Sequence, residues 1–174
     1  MAFFGKKKSA QPAAPKIKEK IIHHFVFLEM PIELVAAAVM PWGEAPWWPT
    51  KGCSIKYVRK TPGDLQVGTK FRQKILRLLA PSWDIEVAQF IPERQLQFKF
   101  LNGPLKGYED IKLEWRYNGT RVDYELHYQP RGLLNMIIWP ILGQKNYDNS
   151  IKVVFAAFKE HIAKIYKEQQ EKTF

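Results

Sequence analysis

Residues Ile111 to Leu142 read IKLEWRYNGTRVDYELHYQPRGLLNMIIWPIL, and the architecture of the chain turns on them. Ile111, Leu113, Trp115 and Tyr117 hold alternate positions, with Lys112, Glu114 and Arg116 between them. Past Asn118-Gly119 the alternation resumes: Val122, Tyr124, Leu126 and Tyr128 against Arg121, Asp123, Glu125 and His127. A period of two means strands with one apolar and one wet face. Asn-Gly between two such runs marks a type I′ hairpin, whose two central residues both need positive φ. After Gly132 the period changes to that of a helix, with a break expected between Pro140 and Gly143.

Outward from this hairpin the same two patterns continue. Leu96, Phe98 and Phe100 alternate with Gln95, Gln97 and Lys99, and Trp83, Ile85 and Val87 alternate with Asp84 and Glu86. CSIKYVRK and LQVGTKFRQKILRLL, joined by the turn TPGD, read as two further strands, and residues 17–30 as the first one. Pro31 sits where a helix can begin, IELVAAAVM continues it, and Pro41 stops it. Downstream, Ile151, Val154, Phe155, Phe158, Ile162 and Ile165 form a single apolar stripe at spacings of three and four. The expectation is an α+β fold: one curved antiparallel sheet of about six to seven strands, its concave aromatic face covered by a long C-terminal helix.

Composition narrows the function classes. With 46% hydrophobic and 14% aromatic residues in 174, the chain is built to bury a core. The net charge of +10 is unevenly spread. Residues 1–20 hold six lysines and one glutamate (+5), and the other 154 positions hold 21 basic and 16 acidic residues, also +5. Residues 1–15 therefore read as a flexible basic arm and 16–174 as one domain. Cys53 is the only cysteine, which excludes a disulfide framework and a cysteine-based metal site. The start lacks the apolar stretch of a secretory signal, and no apolar run reaches the roughly 18 residues of a spanning helix. The expected setting is cytoplasmic, with peripheral membrane contact through the lysine arm and the apolar run Leu133–Leu142.

Motifs for catalysis are scarce. His23 and His24 are neighbours in a strand, so their side chains point to opposite faces and cannot share a metal. No serine lies in a G-x-S-x-G context, and no phosphate-binding glycine loop is present. No cofactor is expected, nor any catalytic residue. The string Pro46-Trp47-Trp48-Pro49 matches the namesake of a chromatin-reading module, but it follows a helix here and the strands run on far beyond a small barrel. Nucleic acid is therefore not expected as a partner.

Two stretches carry a family resemblance. LEMPIELVAAAV resembles the first strand and P-x-x-x-V-W helix of the START-related SRPBCC superfamily, which includes the birch-pollen-allergen fold, with Val35 and Val39 on the buried side. YNGTRVDYELHYQPRGLLNMIIWPIL resembles its G-T-x-V-x-Y-x-L-x-Y strand followed by glycine and an apolar helix start. The resemblance spans about residues 17–168 and implies a helix-grip fold with a cavity between sheet and terminal helix. It also implies binding or transport of a lipid, sterol, quinone, isoprenoid or polyketide type of molecule, with a cyclase or aromatase using the same cavity as the alternative.

On that reading the cavity is lined from the sheet by Phe25, Ile75, Trp83, Ile85, Phe98 and Phe100. The long hairpin adds Leu113, Trp115, Tyr117, Tyr124, Leu126 and Tyr128. Leu134, Ile138, Leu142 and Asn146 line it from the helix, and Trp47 and Trp48 form a hydrophobic lid. Its polar candidates are Tyr117, Tyr124, Tyr128, Gln73, Arg77 and Asn146.

Overall fold

A computed structural model describes residues 18–77 and 80–172, so the expected arm at residues 1–15 lies outside the described residues. Seven strands form one antiparallel sheet: β1 (Lys20–Leu28), β2 (Ile55–Arg59), β3 (Lys70–Ile75), β4 (Ser82–Ile91), β5 (Gln95–Phe100), β6 (Leu105–Arg116) and β7 (Gly119–Pro130). Their order across the sheet is β1-β7-β6-β5-β4-β3-β2. The chain thus meanders from β2 to β7, and β1 closes the far edge beside β7. Helix α1 (Ile32–Val39) follows β1, and α2 (Gly132–Ile138), a π-helical turn (Trp139–Gly143) and α3 (Gln144–Lys172) follow β7.

Strands β6 and β7 pair continuously from Leu105–Pro130 to Arg116–Gly119, which makes this hairpin the spine of the sheet. The two residues between the last pair are Tyr117 and Asn118, with φ of 48° and 60°. The type I′ turn therefore sits one residue earlier than the Asn-Gly reading expects. Gly119 is required for another reason: a Cβ there would stand 2.5 Å from the Leu28 carbonyl oxygen of the neighbouring strand.

The inner face follows the alternation. Trp83, Ile85, Phe98, Phe100, Leu113, Tyr124, Leu126 and Tyr128 are all buried, together with the α3 stripe Ile151, Val154, Phe155, Phe158 and Ile162. Burying side chains of this size contributes roughly 1.5–3 kcal/mol each before conformational entropy is charged against it.

Four expectations are corrected. Tyr117 is 89% exposed because it belongs to the turn and has no strand face. Trp115, one pair from the turn, is 50% exposed at the tip of the hairpin. Phe25 is 60% exposed on the outer face, since Ile22, Val26 and Leu28 take the inward positions of β1. The Arg121 guanidinium lies 4.5 Å from its ring centre. Finally, the strand expected from Leu65 begins only at Lys70: residues 65–69 form a turn, with Thr69 N–H donating to the Gln66 carbonyl and Gly68 at φ 91°.

The Trp/Pro segment is a packed wall. Trp42 is buried and stacks on Tyr124 at 5.6 Å, while Trp48 meets it edge-on at 5.1 Å. Trp47 Nε1 donates to the Ala38 carbonyl and Trp48 Nε1 to that of Ile55, at 2.9 and 3.1 Å. These bonds satisfy both indoles and fix both rings.

Gly107 has φ 129°, and a Cβ on it would fall 1.9 Å from the His127 carbonyl oxygen. Gly107→Ala should therefore lower the unfolding free energy by about 2 kcal/mol or more, read from urea denaturation at constant slope.

Candidate functional site

Pro140 decides the geometry of the helical end. It has no N–H to give the carbonyl four residues back, so the hydrogen-bond register widens, and Gln144 N–H instead reaches the Trp139 carbonyl five residues back. The expected break is thus a π-turn through which the helix continues. It swings Trp139 inward, where the indole packs on Tyr128 at 5.9 Å and on Tyr147 at 6.0 Å. Gly143 makes room for that ring: a Cβ there would come within 2.3 Å of it.

Between this turn and the β3–β4 side of the sheet lies an open cleft of about 530 Å³. One wall is Ser54, Ile75, Arg77, Ala80 and Pro81; Pro104 closes an end; Asn135, Ile138, Trp139, Leu142, Gly143, Asn146 and Tyr147 form the other wall. The surface is mainly apolar with a few polar groups, the composition typical of small-molecule sites. Asn135 Nδ2 is bonded to the Arg131 carbonyl at 2.7 Å, and Asn146 Nδ2 to the Leu142 carbonyl. Both amide nitrogens are thereby tied to helix backbone, leaving the side-chain oxygens as acceptors.

Tyr147 connects the cleft to a buried polar cluster. Its hydroxyl donates to Glu109 Oε1, and the Tyr57 hydroxyl donates to Glu109 Oε2 at 2.7 Å. Gln73 Nε2 lies 2.8 Å from Glu109 Oε1 and 2.9 Å from both the Tyr57 and Tyr147 hydroxyls. Tyr124 donates to Tyr147 at 3.2 Å. All five side chains are buried. Burial pushes the Glu109 carboxyl above its ordinary range, opposed by the hydrogen bonds from Tyr147, Tyr57 and Gln73. Burial together with the nearby Glu109 charge drives the Tyr57, Tyr124 and Tyr147 hydroxyls far above theirs.

Of the residues expected to line a cavity, Ile75, Ile138, Leu142 and Asn146 do border this cleft, as does Arg77. Trp83, Ile85, Phe98, Phe100, Leu113, Tyr124, Leu126 and Tyr128 are packed in the core instead. Trp47 and Trp48 do not border it. Trp47 packs on Phe158 at 5.2 Å, eleven residues along α3 from Tyr147, or roughly 16 Å at 1.5 Å per residue. Leu134 is exposed on α2. His24 points inward and pairs with Asp148 at 2.8 Å, while His23 points outward to Asp123 at 2.7 Å.

The residue that sequence reasoning missed is Glu109. The signal was present: two residues before Ile111, the strand alternation already assigns Glu109 to the inner face. Tyr147, missed likewise, lies four residues before Ile151 on the buried stripe of α3.

No family model matches the chain, and no curated protein matches it. Solved structures do. A norcoclaurine synthase point mutant from Thalictrum flavum, in complex with a transition-state analogue, superposes with a TM-score of 0.61 at 16% identity, covering 90% of this chain and 99% of that one. TTHA0849 from Thermus thermophilus gives 0.62 at 14%, covering 84% and 99%. CalU16 from Micromonospora echinospora gives 0.52 at 16%, covering 88% and 85%. Likeness at such identities is likeness of fold: the chain has the helix-grip fold of the SRPBCC proteins, an antiparallel sheet curled around a long C-terminal helix.

The Glu109 cluster makes stability depend on pH in a definite sense. A carboxyl pKa raised by folding contributes stability that is complete below the ordinary carboxylate range and is lost as pH rises through the raised value. Glu109→Gln keeps the shape and removes that titration. Urea midpoints measured from acid to neutral pH should show the wild type falling relative to Glu109→Gln as pH rises; parallel curves would mean that Glu109 does not titrate above its ordinary range.

Proposed function

We propose that the protein binds a hydrophobic small molecule in the cleft between the π-turn and the β3–β4 side of the sheet. The observation that carries this reading is a cleft of about 530 Å³ with apolar walls and a tyrosine at its inner end. That volume suits one compact apolar molecule. Transfer of its surface from water onto Ile75, Pro81, Ile138, Trp139 and Leu142 would supply the driving force, at roughly 25 cal/mol per Å² buried. Arg77 offers a donor and Asn135 and Asn146 offer acceptors, so a ligand with one polar end would be held in a single orientation. Lipids, sterols, quinones, isoprenoids and polyketides share this chemistry, and a carrier role is the leading form of the proposal.

The Glu109 cluster favours a second reading, an enzyme of the cyclase or aromatase type. A buried carboxyl with a raised pKa, one hydroxyl away from the cleft wall, is suited to move a proton through Tyr147 to or from a bound molecule. One fold neighbour, norcoclaurine synthase, is by name an enzyme. In this reading Glu109→Gln abolishes turnover without altering affinity.

Binding of 1-anilinonaphthalene-8-sulfonate, followed by fluorescence, checks the site itself. Ala80→Trp fills the cleft from its partly exposed rim and should weaken the probe about tenfold or more, by steric exclusion worth upwards of about 1.4 kcal/mol. Unchanged affinity in Ala80→Trp would place the probe, and the proposed ligand, elsewhere.

A further inference from the structure

Helix α2 and the π-turn do something the fold itself does not call for. A surface helix ordinarily turns one apolar stripe inward and a polar face out. Here α2 has no buried residue at all, and in the π-turn only Trp139 is buried. Leu133, Leu134, Ile137, Ile138, Ile141 and Leu142 stand between 41% and 78% exposed on twelve consecutive residues. No charged side chain interrupts them between Arg131 and Lys145. A contiguous exposed apolar surface of this kind marks an interaction site.

Its surroundings identify the partner. From Leu126 to Tyr147 there is no Asp or Glu, and none from Leu65 to Trp83 on the opposite wall of the cleft. Arg131 and Lys145 bracket the apolar run in sequence, and Arg77 lies across the cleft from it. Apolar side chains framed by cations, without acids, complement the anionic headgroups and acyl boundary of a lipid bilayer. A second copy of the chain fits poorly, because a two-fold contact through this face would bring the same cations together. No helix among the described residues is long and apolar enough to cross a membrane, and the twelve residues span only roughly 18 Å, so the segment lies in the interface.

We infer that the α2–π-turn face docks on an anionic bilayer and that the cleft opens there to exchange its ligand with the lipid phase. The second half rests on the cleft being a ligand site. It follows from shared residues: Ile138, Trp139 and Leu142 belong to the exposed segment and also to the cleft wall. A molecule leaving the acyl region would pass along these side chains without crossing bulk water.

The test is flotation of the full chain with vesicles of phosphatidylcholine, alone or mixed with phosphatidylglycerol. The wild type should float with the mixed vesicles, and Ile137→Asp/Ile141→Asp should reduce binding about tenfold or more with an unchanged melting curve. Leu133→Ser/Leu134→Ser, a milder change on the same face, should reduce it in the same direction. Equal flotation of wild type and both variants would assign binding to other basic parts of the chain and overturn the inference. So would no flotation at all, or a wild-type dimer in sedimentation that Ile137→Asp/Ile141→Asp dissolves. Ala80→Trp separates the two proposals: if the cleft reading alone fails, the probe binds Ala80→Trp undiminished while the wild type still floats. If docking alone fails, the probe is lost from Ala80→Trp and no vesicle binding is seen.

Discussion

A carboxylate buried with neutral donors around it is the constraint on which the structure depends. Glu109 is fully enclosed, and the side chains that bond it are Tyr57, Gln73 and Tyr147. Leaving such a group unpartnered in a protein interior is severely unfavourable, so each donor must arrive in place. The donors come from β2, β3 and α3, and Glu109 itself from β6. Satisfying one carboxyl thus pins the terminal helix against three strands of the sheet. Apolar packing gives the grip its strength; the cluster fixes where along the sheet α3 lies.

The same helix position produces the cleft. With Tyr147 held down on Glu109, the chain N-terminal to it must leave the sheet, and Pro140 sets the turn by which it does so. Trp139 fills the interior as far as Tyr128 and Tyr147 allow, and the space beyond the indole stays open. At the other end of the sheet Trp42 is buried, stacked on Tyr124 and met edge-on by Trp48, while the half-buried Trp47 and Trp48 are held by their indole hydrogen bonds. The tryptophan end is thus packed around Trp42, and the space beside the π-turn is open.

Much of this was legible from residue order. Strict alternation in β6 and β7 assigned the faces of the central hairpin, and the spacing of Ile151 to Ile162 assigned the buried stripe of α3. What alternation cannot tell is how far the cover over a face extends, which decides Trp115, or where the strand gives way to the turn, which decides Tyr117. Phe25 failed differently: in β1 aromatic and aliphatic residues stand side by side, as in Phe25-Val26-Phe27-Leu28, and nothing local says which parity faces in. Glu109 was hidden by its chemistry. A charged residue in a strand reads as an outer-face position until its partners are known. Those partners stand 52, 36 and 38 residues away. The cleft depends on the same long-range assembly: Ile75, Ile138, Leu142 and Asn146 read as cavity lining from their own elements, whereas Trp139 reads only as part of the apolar Leu133–Leu142 run and Tyr147 carries no such signal.

Native mass spectrometry of the freshly purified chain shows directly whether the cleft at the π-turn holds a hydrophobic molecule. The expected spectrum contains a population heavier than the 20.4 kDa chain by one small molecule, released into organic solvent and greatly reduced in Ala80→Trp. A single species at the mass of the bare chain, before and after incubation with lipid extract, would contradict the proposed binding.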